Sequence, residues 1–102
     1  MPPKESREIS ALLSEKSKLL IMTALIEAGE KLSFSELAEV ADLTNGNLSS
    51  HLRKLEDASY VKLNKQFVER RPLTTVEITA TGRAAFREHV EGLKAILERI
   101  KK

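Results

Sequence analysis

The chain has 102 residues, 41% hydrophobic and 31% charged, with a formal net charge of +2 and no cysteine. A chain of this length makes one domain that buries roughly two thirds of its unfolded surface, and the composition excludes a disordered or collagen-like polymer. Without cysteine there is no disulfide, thiolate zinc cluster or cysteine nucleophile.

Apolar runs stop at four residues, Leu19 to Met22, so no membrane span is expected. The polar start, Met1-Pro2-Pro3-Lys4-Glu5-Ser6, lacks a secretory apolar core, and a cytoplasmic location is the expectation. The small net charge conceals an uneven distribution. Residues 1–44 hold 5 basic and 8 acidic side chains, residues 45–75 hold 6 and 3, and residues 76–102 hold 6 and 4. The basic excess begins at Asn45 and marks the middle of the chain as a surface for a polyanion.

In chain order, residues 1–5 are expected to fray. Ile9, Leu12 and Leu13 fall at helical spacing, and Ser14-Glu15-Lys16-Ser17 interrupts the pattern, so Ser14 is expected to cap a second helix. From Leu19 to Ile26 nearly every residue is apolar, which suits a helix at the domain centre, and Gly29 stops it. Ser33 and Glu36 have capping-box spacing, with Ser35 a rival cap, and open a short helix expected to bury Leu37, Val40 and Ala41. Asp42-Leu43-Thr44 breaks it. Thr44 caps the next helix, Asn45 to Ala58, whose apolar stripe is Leu48, Leu52 and Leu55.

After Tyr60 the period becomes two. Val61, Leu63 and Phe67 alternate with polar residues, Glu69-Arg70-Arg71-Pro72 forms a tip, and Thr74, Val76 and Ile78 alternate on the way back. This is an antiparallel hairpin, with Pro72 tolerated at a strand start. Thr79 caps a last helix with the stripe Phe86, Val90, Leu93, Leu97 and Ile100. Two helices around a tight turn, followed at once by a hairpin, make a winged helix-turn-helix. The expected fold is mainly α with a small β-hairpin. It forms a single domain over 1–102, with the helix-turn-helix at about 34–58, the wing at about 60–79 and the C-terminal helix at about 80–101.

Three segments carry a resemblance. Leu43-Thr44-Asn45-Gly46-Asn47-Leu48-Ser49-Ser50-His51-Leu52-Arg53-Lys54-Leu55-Glu56 resembles the recognition-helix segment of small winged-helix transcriptional regulators of the MarR-like and ArsR-like group. Phe67-Val68-Glu69-Arg70-Arg71-Pro72-Leu73-Thr74-Thr75 resembles their wing, and Ile78-Thr79-Ala80-Thr81-Gly82-Arg83 their strand exit. The resemblance implies sequence-specific binding of double-stranded DNA by a homodimer. Members commonly have Gly where this chain has Ser59 and Glu69. Ser59 is therefore expected in a left-handed or strained turn, and Glu69 places a negative charge beside the wing arginines.

With Leu48, Leu52 and Leu55 inward, the opposite face of that helix presents Gly46, Asn47, Ser50, Arg53, Lys54 and Asp57, with Ser49 at the flank. Asn47 suits adenine and Arg53 guanine, whereas Ser49, Ser50 and Lys54 suit phosphates or either role. Gly46 lets the backbone approach, and the first-turn N–H groups near Thr44 and Asn45 attract a phosphate. Arg70 and Arg71 at the wing tip suit a minor groove, with Lys62 and Lys65 toward the flanking backbone. Taken singly, these features also fit helix capping, a salt-bridged surface and a solvated hairpin tip. Their coincidence on one motif favours DNA.

His51, at the edge of the stripe, is expected to pack or hydrogen-bond against a neighbouring helix. Adjacent Ser49, Ser50 and His51 do not face one another, so no hydrolase site is read there, and no metal, cofactor or enzymatic activity is expected.

The last helix, about 21 residues or roughly 30 Å, outruns the domain it caps. Val90, Leu93, Ile96, Leu97 and Ile100, joined by Ile9, Leu12 and Leu13, are read as a seam with a second copy rather than a helix folded back on its own domain. A two-fold dimer would place two recognition helices roughly 34 Å apart on a pseudo-palindromic operator. A protein–protein adaptor is the rival reading. A single-strand or RNA reader is another, but it needs aromatic platforms, and Phe34, Tyr60, Phe67 and Phe86 look mostly buried. A small-molecule site between the dimer helices and the winged domain, as in some MarR-like proteins, is demanded by no residue.

Overall fold

The computed structural model describes the backbone of residues 4–101 and the side chains of residues 15–101. Its elements are α1 (Lys4–Ala28), β1 (Leu32–Ser33), α2 (Phe34–Ala41), α3 (Asn45–Asp57), β2 (Val61–Val68), β3 (Arg71–Ile78) and α4 (Ala80–Ile100).

The expected break at Ser14 does not occur: α1 is one helix of 25 residues. Nothing in Ser14-Glu15-Lys16-Ser17 stops a helix, since Glu and Lys are good helix formers and Ser costs only a fraction of a kcal/mol. Glu15 and Lys18 instead pair one turn apart at 3.5 Å. Glu15 and Lys16 are exposed on a continuous helix. Ile9, Leu12 and Leu13 lie outside the residues whose side chains are described. Further along, Ile21, Met22, Ala24 and Leu25 are buried, and Gly29 ends the helix with φ of 68°.

α2 opens with the expected capping box. The Glu36 N–H donates to Ser33 Oγ at 3.1 Å, and the Ser33 N–H donates to Glu36 Oε1 at 3.2 Å. Ser33, not Ser35, is therefore the cap. α2 buries Leu37, Ala38 and Ala41, while Val40, expected inward, is exposed. At 100° per residue the buried three centre roughly 50° from Leu37 and Val40 lies roughly 110° from that centre, so the face that meets α1 excludes it. Asp42 takes a left-handed conformation, φ 54°, and the Leu43 N–H reaches back to the Ala38 carbonyl at 2.9 Å. The chain thus turns sharply into Thr44, whose Oγ1 accepts the Asn47 N–H at 3.2 Å and starts α3.

Leu48, Leu52 and Leu55 of α3 are buried as the stripe requires. They meet Ile21, Leu25, Leu37, Val61 and Val76 in one core. Past α3, Ser59 has φ of 65°, the left-handed turn expected of it.

The sheet has three strands in the order β1-β3-β2. β1 has no counterpart among the expected elements: two residues cannot show an alternating pattern, yet Leu32 and Ser33 pair with Val76 and Thr75. The wing turn is shorter than the four-residue tip expected. Val68 pairs with Arg71 and Phe67 with Pro72, which leaves only Glu69 and Arg70 in the turn, with φ of 51° and 68°. Two successive left-handed residues make the primed turn that matches strand twist. Val68 and Arg71 then form the closing hydrogen-bonded pair, so Phe67 and Pro72 form a non-bonded one. The N–H that proline lacks would point away from β2, which is why Pro72 sits inside β3.

A small knot joins the end of the helix-turn-helix to α4. The Thr79 N–H donates to the Tyr60 carbonyl at 3.0 Å, Thr79 Oγ1 donates to the Ser59 carbonyl at 2.6 Å, and the same oxygen accepts the Gly82 N–H at 2.9 Å. Gly82 is buried, and a Cβ there would collide with the Tyr60 carbonyl. From this knot α4 packs Phe86 against the core and then runs past it. The radius of gyration, 15.5 Å, exceeds the roughly 13 Å of a compact 100-residue domain, and the longest extent is 56 Å.

Candidate nucleic-acid interface

α3 is held by its buried leucines and by the Thr44 cap, which fixes which residues look outward. Thr44, Asn45, Gly46, Asn47, Ser49, Ser50, Arg53 and Lys54 are all exposed. Space is open around Gly46, with nothing within 4 Å of where a Cβ would be. Of the first-turn N–H groups of α3, that of Asn47 donates to Thr44 Oγ1. Asp57, on the same face, sits at the far end of the helix from Asn47.

The wing carries Lys65 on β2, Arg70 in the turn and Arg71 at the start of β3, all exposed. Non-glycine residues in left-handed conformations cost about 1 kcal/mol or more each. The turn holds Glu69 and Arg70 in place of the cheaper Asn-Gly, and Arg70 is exposed there. Among the described residues none of Arg53, Lys54, Lys65, Arg70 and Arg71 is ion-paired with a carboxylate; the ion pair formed is Lys18–Glu15. The salt-bridged surface that Arg53-Lys54 and Glu56-Asp57 could have formed is not made.

His51 is half-buried between the recognition face and α1, and its Nδ1 has no hydrogen-bond partner. Burial, then the nearby positive charges of Lys18 and Lys54, hold its pKa below the usual 6.5. It packs as expected, as a neutral ring, but makes no hydrogen bond at Nδ1 to a neighbouring helix. Of the four aromatic residues expected to be mostly buried, Phe67 is the exception, 78% exposed. The core ends at Leu63 and Val76, and the strands continue for five more residues on each side of the turn.

On α4 the apolar stripe becomes progressively less covered. Phe86 and Val90 are half-buried, whereas Leu93, Ile96, Leu97 and Ile100 are exposed, Ile100 by 73%. An open cleft between α1, the end of α3 and α4 is lined by Leu19, Met22, Leu55, Tyr60, Phe86 and His89. At about 240 Å³ it lies below the usual range of small-molecule sites. Among the described residues no helix is long and apolar enough to cross a membrane.

Three helices in a helix-turn-helix arrangement, a hairpin wing and a three-stranded sheet define a winged-helix protein. Residues 18–97 match the winged helix DNA-binding domain family, and the chain belongs to it. It is similar over 98% of its length to the structure of a transcriptional regulator homologue from Pyrococcus horikoshii, with 37% identity and a TM-score of 0.80, and it covers 100% of that chain. An uncharacterised protein of Methanocaldococcus jannaschii is 39% identical over 67 residues, which are 66% of this chain and 73% of that one. A MarR family transcriptional regulator from Silicibacter pomeroyi, at 23% identity, shares the fold with a TM-score of 0.65 over 92% of this chain and 62% of its own.

Proposed function

We propose that the chain is a transcriptional regulator that binds double-stranded DNA as a two-fold dimer. α3 enters the major groove and the wing lies toward the minor groove. The observation that carries this reading is the outward face of α3: Asn47, Ser50, Arg53 and Lys54 are exposed, and its two cations are free of ion pairs among the described residues. An adaptor surface would carry apolar or acidic groups in their place.

In this arrangement Asn47 reads adenine and Arg53 guanine, each by paired hydrogen bonds. Thr44, Asn45, Gly46, Ser49, Ser50, Lys54 and Lys65 place the helix and wing on the phosphates. Arg70 and Arg71 lie along the minor groove. The exposed run Leu93, Ile96, Leu97 and Ile100, continuous with half-buried Val90, meets a second copy. The whole chain, 1–102, is then one functional unit that reads a pseudo-palindromic operator; a role in transcription regulation is in keeping with the name given to the Pyrococcus relative.

The test is selection of bound sequences from a random duplex pool at physiological salt. The expected result is a two-fold-symmetric consensus with half-sites about one helical turn apart. Replacing Arg53 with alanine should then relax one base position, whereas Arg70→Ala and Arg71→Ala should weaken all sequences and flatten the salt dependence. A pool without enrichment would overturn the reading and favour the adaptor.

A further inference from the structure

Of the chain's four aromatic residues, Phe34, Tyr60 and Phe86 pack against the core, while Phe67 stands 78% exposed. An exposed apolar residue alone means little. Its position gives this one meaning. Phe67 lies one residue before Val68, which is itself 47% exposed and closes the turn. It sits directly across from Pro72 in a non-hydrogen-bonded pair, where side chains lie closest. Within the seven-residue span 65–71, Lys65 lies on the same face of the strand, Arg70 in the turn, and Arg71 next to Pro72 on the other face. By strand alternation Phe67 shares a face with Val61, Leu63 and Lys65, so the face that seals the core extends outward along the wing.

An apolar ring set among free cations does not suit an apolar protein partner. It suits a ligand that is anionic outside and apolar within, which describes a DNA groove. A minor groove about 6 Å wide admits a side chain from the end of a ribbon but not the ribbon itself. We infer that Phe67 is an apolar wedge. It enters the minor groove at the wing contact and opens a base step there, while Lys65, Arg70 and Arg71 hold the phosphates on either side. Apolar wedges of this kind unstack one step and bend the duplex. The inference rests on the DNA-binding reading above.

The experiment uses the full chain and its selected duplex, labelled at both ends for energy transfer, with affinity measured over a series of salt concentrations. Phe67→Ala is expected to lower affinity about tenfold at every salt concentration, as for loss of one aromatic contact to a base. The salt slope stays unchanged because no cation is removed. The end-to-end distance lengthens as the bend relaxes. Phe67→Leu keeps the bulk and restores most of both effects. Arg70→Ala flattens the slope. Because Phe67 is exposed, neither Phe67 variant shifts the melting midpoint.

Wild-type affinity and bending in Phe67→Ala, alongside a weakened Arg70→Ala, would overturn the wedge and leave the DNA reading standing. If the wild-type chain binds no duplex, the DNA reading itself fails. If Phe67→Ala changes the oligomeric state by light scattering, the ring belongs to an interface between copies, and the wedge is wrong.

Discussion

Replacing Gly82 with alanine is expected to destabilise the protein by about 2–3 kcal/mol, although alanine is the better helix former. The added Cβ would meet the Tyr60 carbonyl, with Ile78 Cγ1 at 3.0 Å on another side. The obstacle is backbone, and it is tethered: the Tyr60 carbonyl accepts the Thr79 N–H and the adjacent Ser59 carbonyl accepts Thr79 Oγ1. Making room means parting Thr79 from both, at about 1 kcal/mol for each bond. Overpacking, partly relieved by that movement, adds about 1 kcal/mol, and the helical preference of alanine returns less than about 1. The net loss corresponds to a melting midpoint lower by roughly 10–20 °C in a chain of this size. Urea and thermal unfolding at one fixed protein concentration measure it. Gly92 is the internal control: it lies in the same helix with nothing within 4 Å, so Gly92→Ala is expected to stabilise by about 0.5–1 kcal/mol. A neutral or stabilising Gly82→Ala would show that the close approach to Tyr60 is not a constraint.

Ser59→Gly relieves a left-handed turn at φ of 65° and is expected to raise stability by about 0.5–1 kcal/mol, read as a higher urea midpoint with an unchanged slope. His51 is held below its usual pKa, so the folded protein takes up its proton later than the unfolded chain as pH falls. Its contribution is fully present above about pH 6.5 and is lost below that as pH falls through the folded pKa. The drop in stability between pH 7.5 and 5.5 should therefore shrink in His51→Gln; an identical drop in both proteins would assign the dependence elsewhere. Charging the exposed end of α4 with Leu93→Glu and Leu97→Glu together is expected to yield a monomer by sedimentation with unchanged helicity. A dimer that survives both substitutions would place the seam elsewhere.

Much of the fold was legible because its signals are local. Thr44, Ser33 and Thr79 each cap the helix that follows them, and Leu48, Leu52 and Leu55 repeat with the period of the face they bury. Ser59 and Glu69 stand out by resemblance as positions that want glycine, and both have positive φ. What escaped was set by tertiary context. β1 exists because β3 is there to pair with it, and no two-residue segment encodes that alone. Phe67 continues a core pattern, but the core ends at Leu63 beneath it, and periodicity cannot say where a core stops. The unbroken course of α1 was missed for the opposite reason: a polar stretch changes which face is wet without changing the helix. The outward residues of α3 were readable from the stripe, since burying one side fixes the other. The reason for Gly82 was not, because its neighbour Tyr60 lies 22 positions earlier.

The knot of Ser59, Tyr60, Thr79 and Gly82 has a mechanical consequence. It ties the chain leaving α3 to the cap and first turn of α4 through two hydrogen bonds and a glycine contact, and a third bond locks the cap to that turn. In a dimer built along α4, the heading of each recognition helix is then fixed by the crossing of the two α4 helices. The joint works like a set square, not a swivel. Operators whose half-sites are one base pair too near or too far would be refused, because each added pair also rotates the groove away and nothing in the joint turns to follow it.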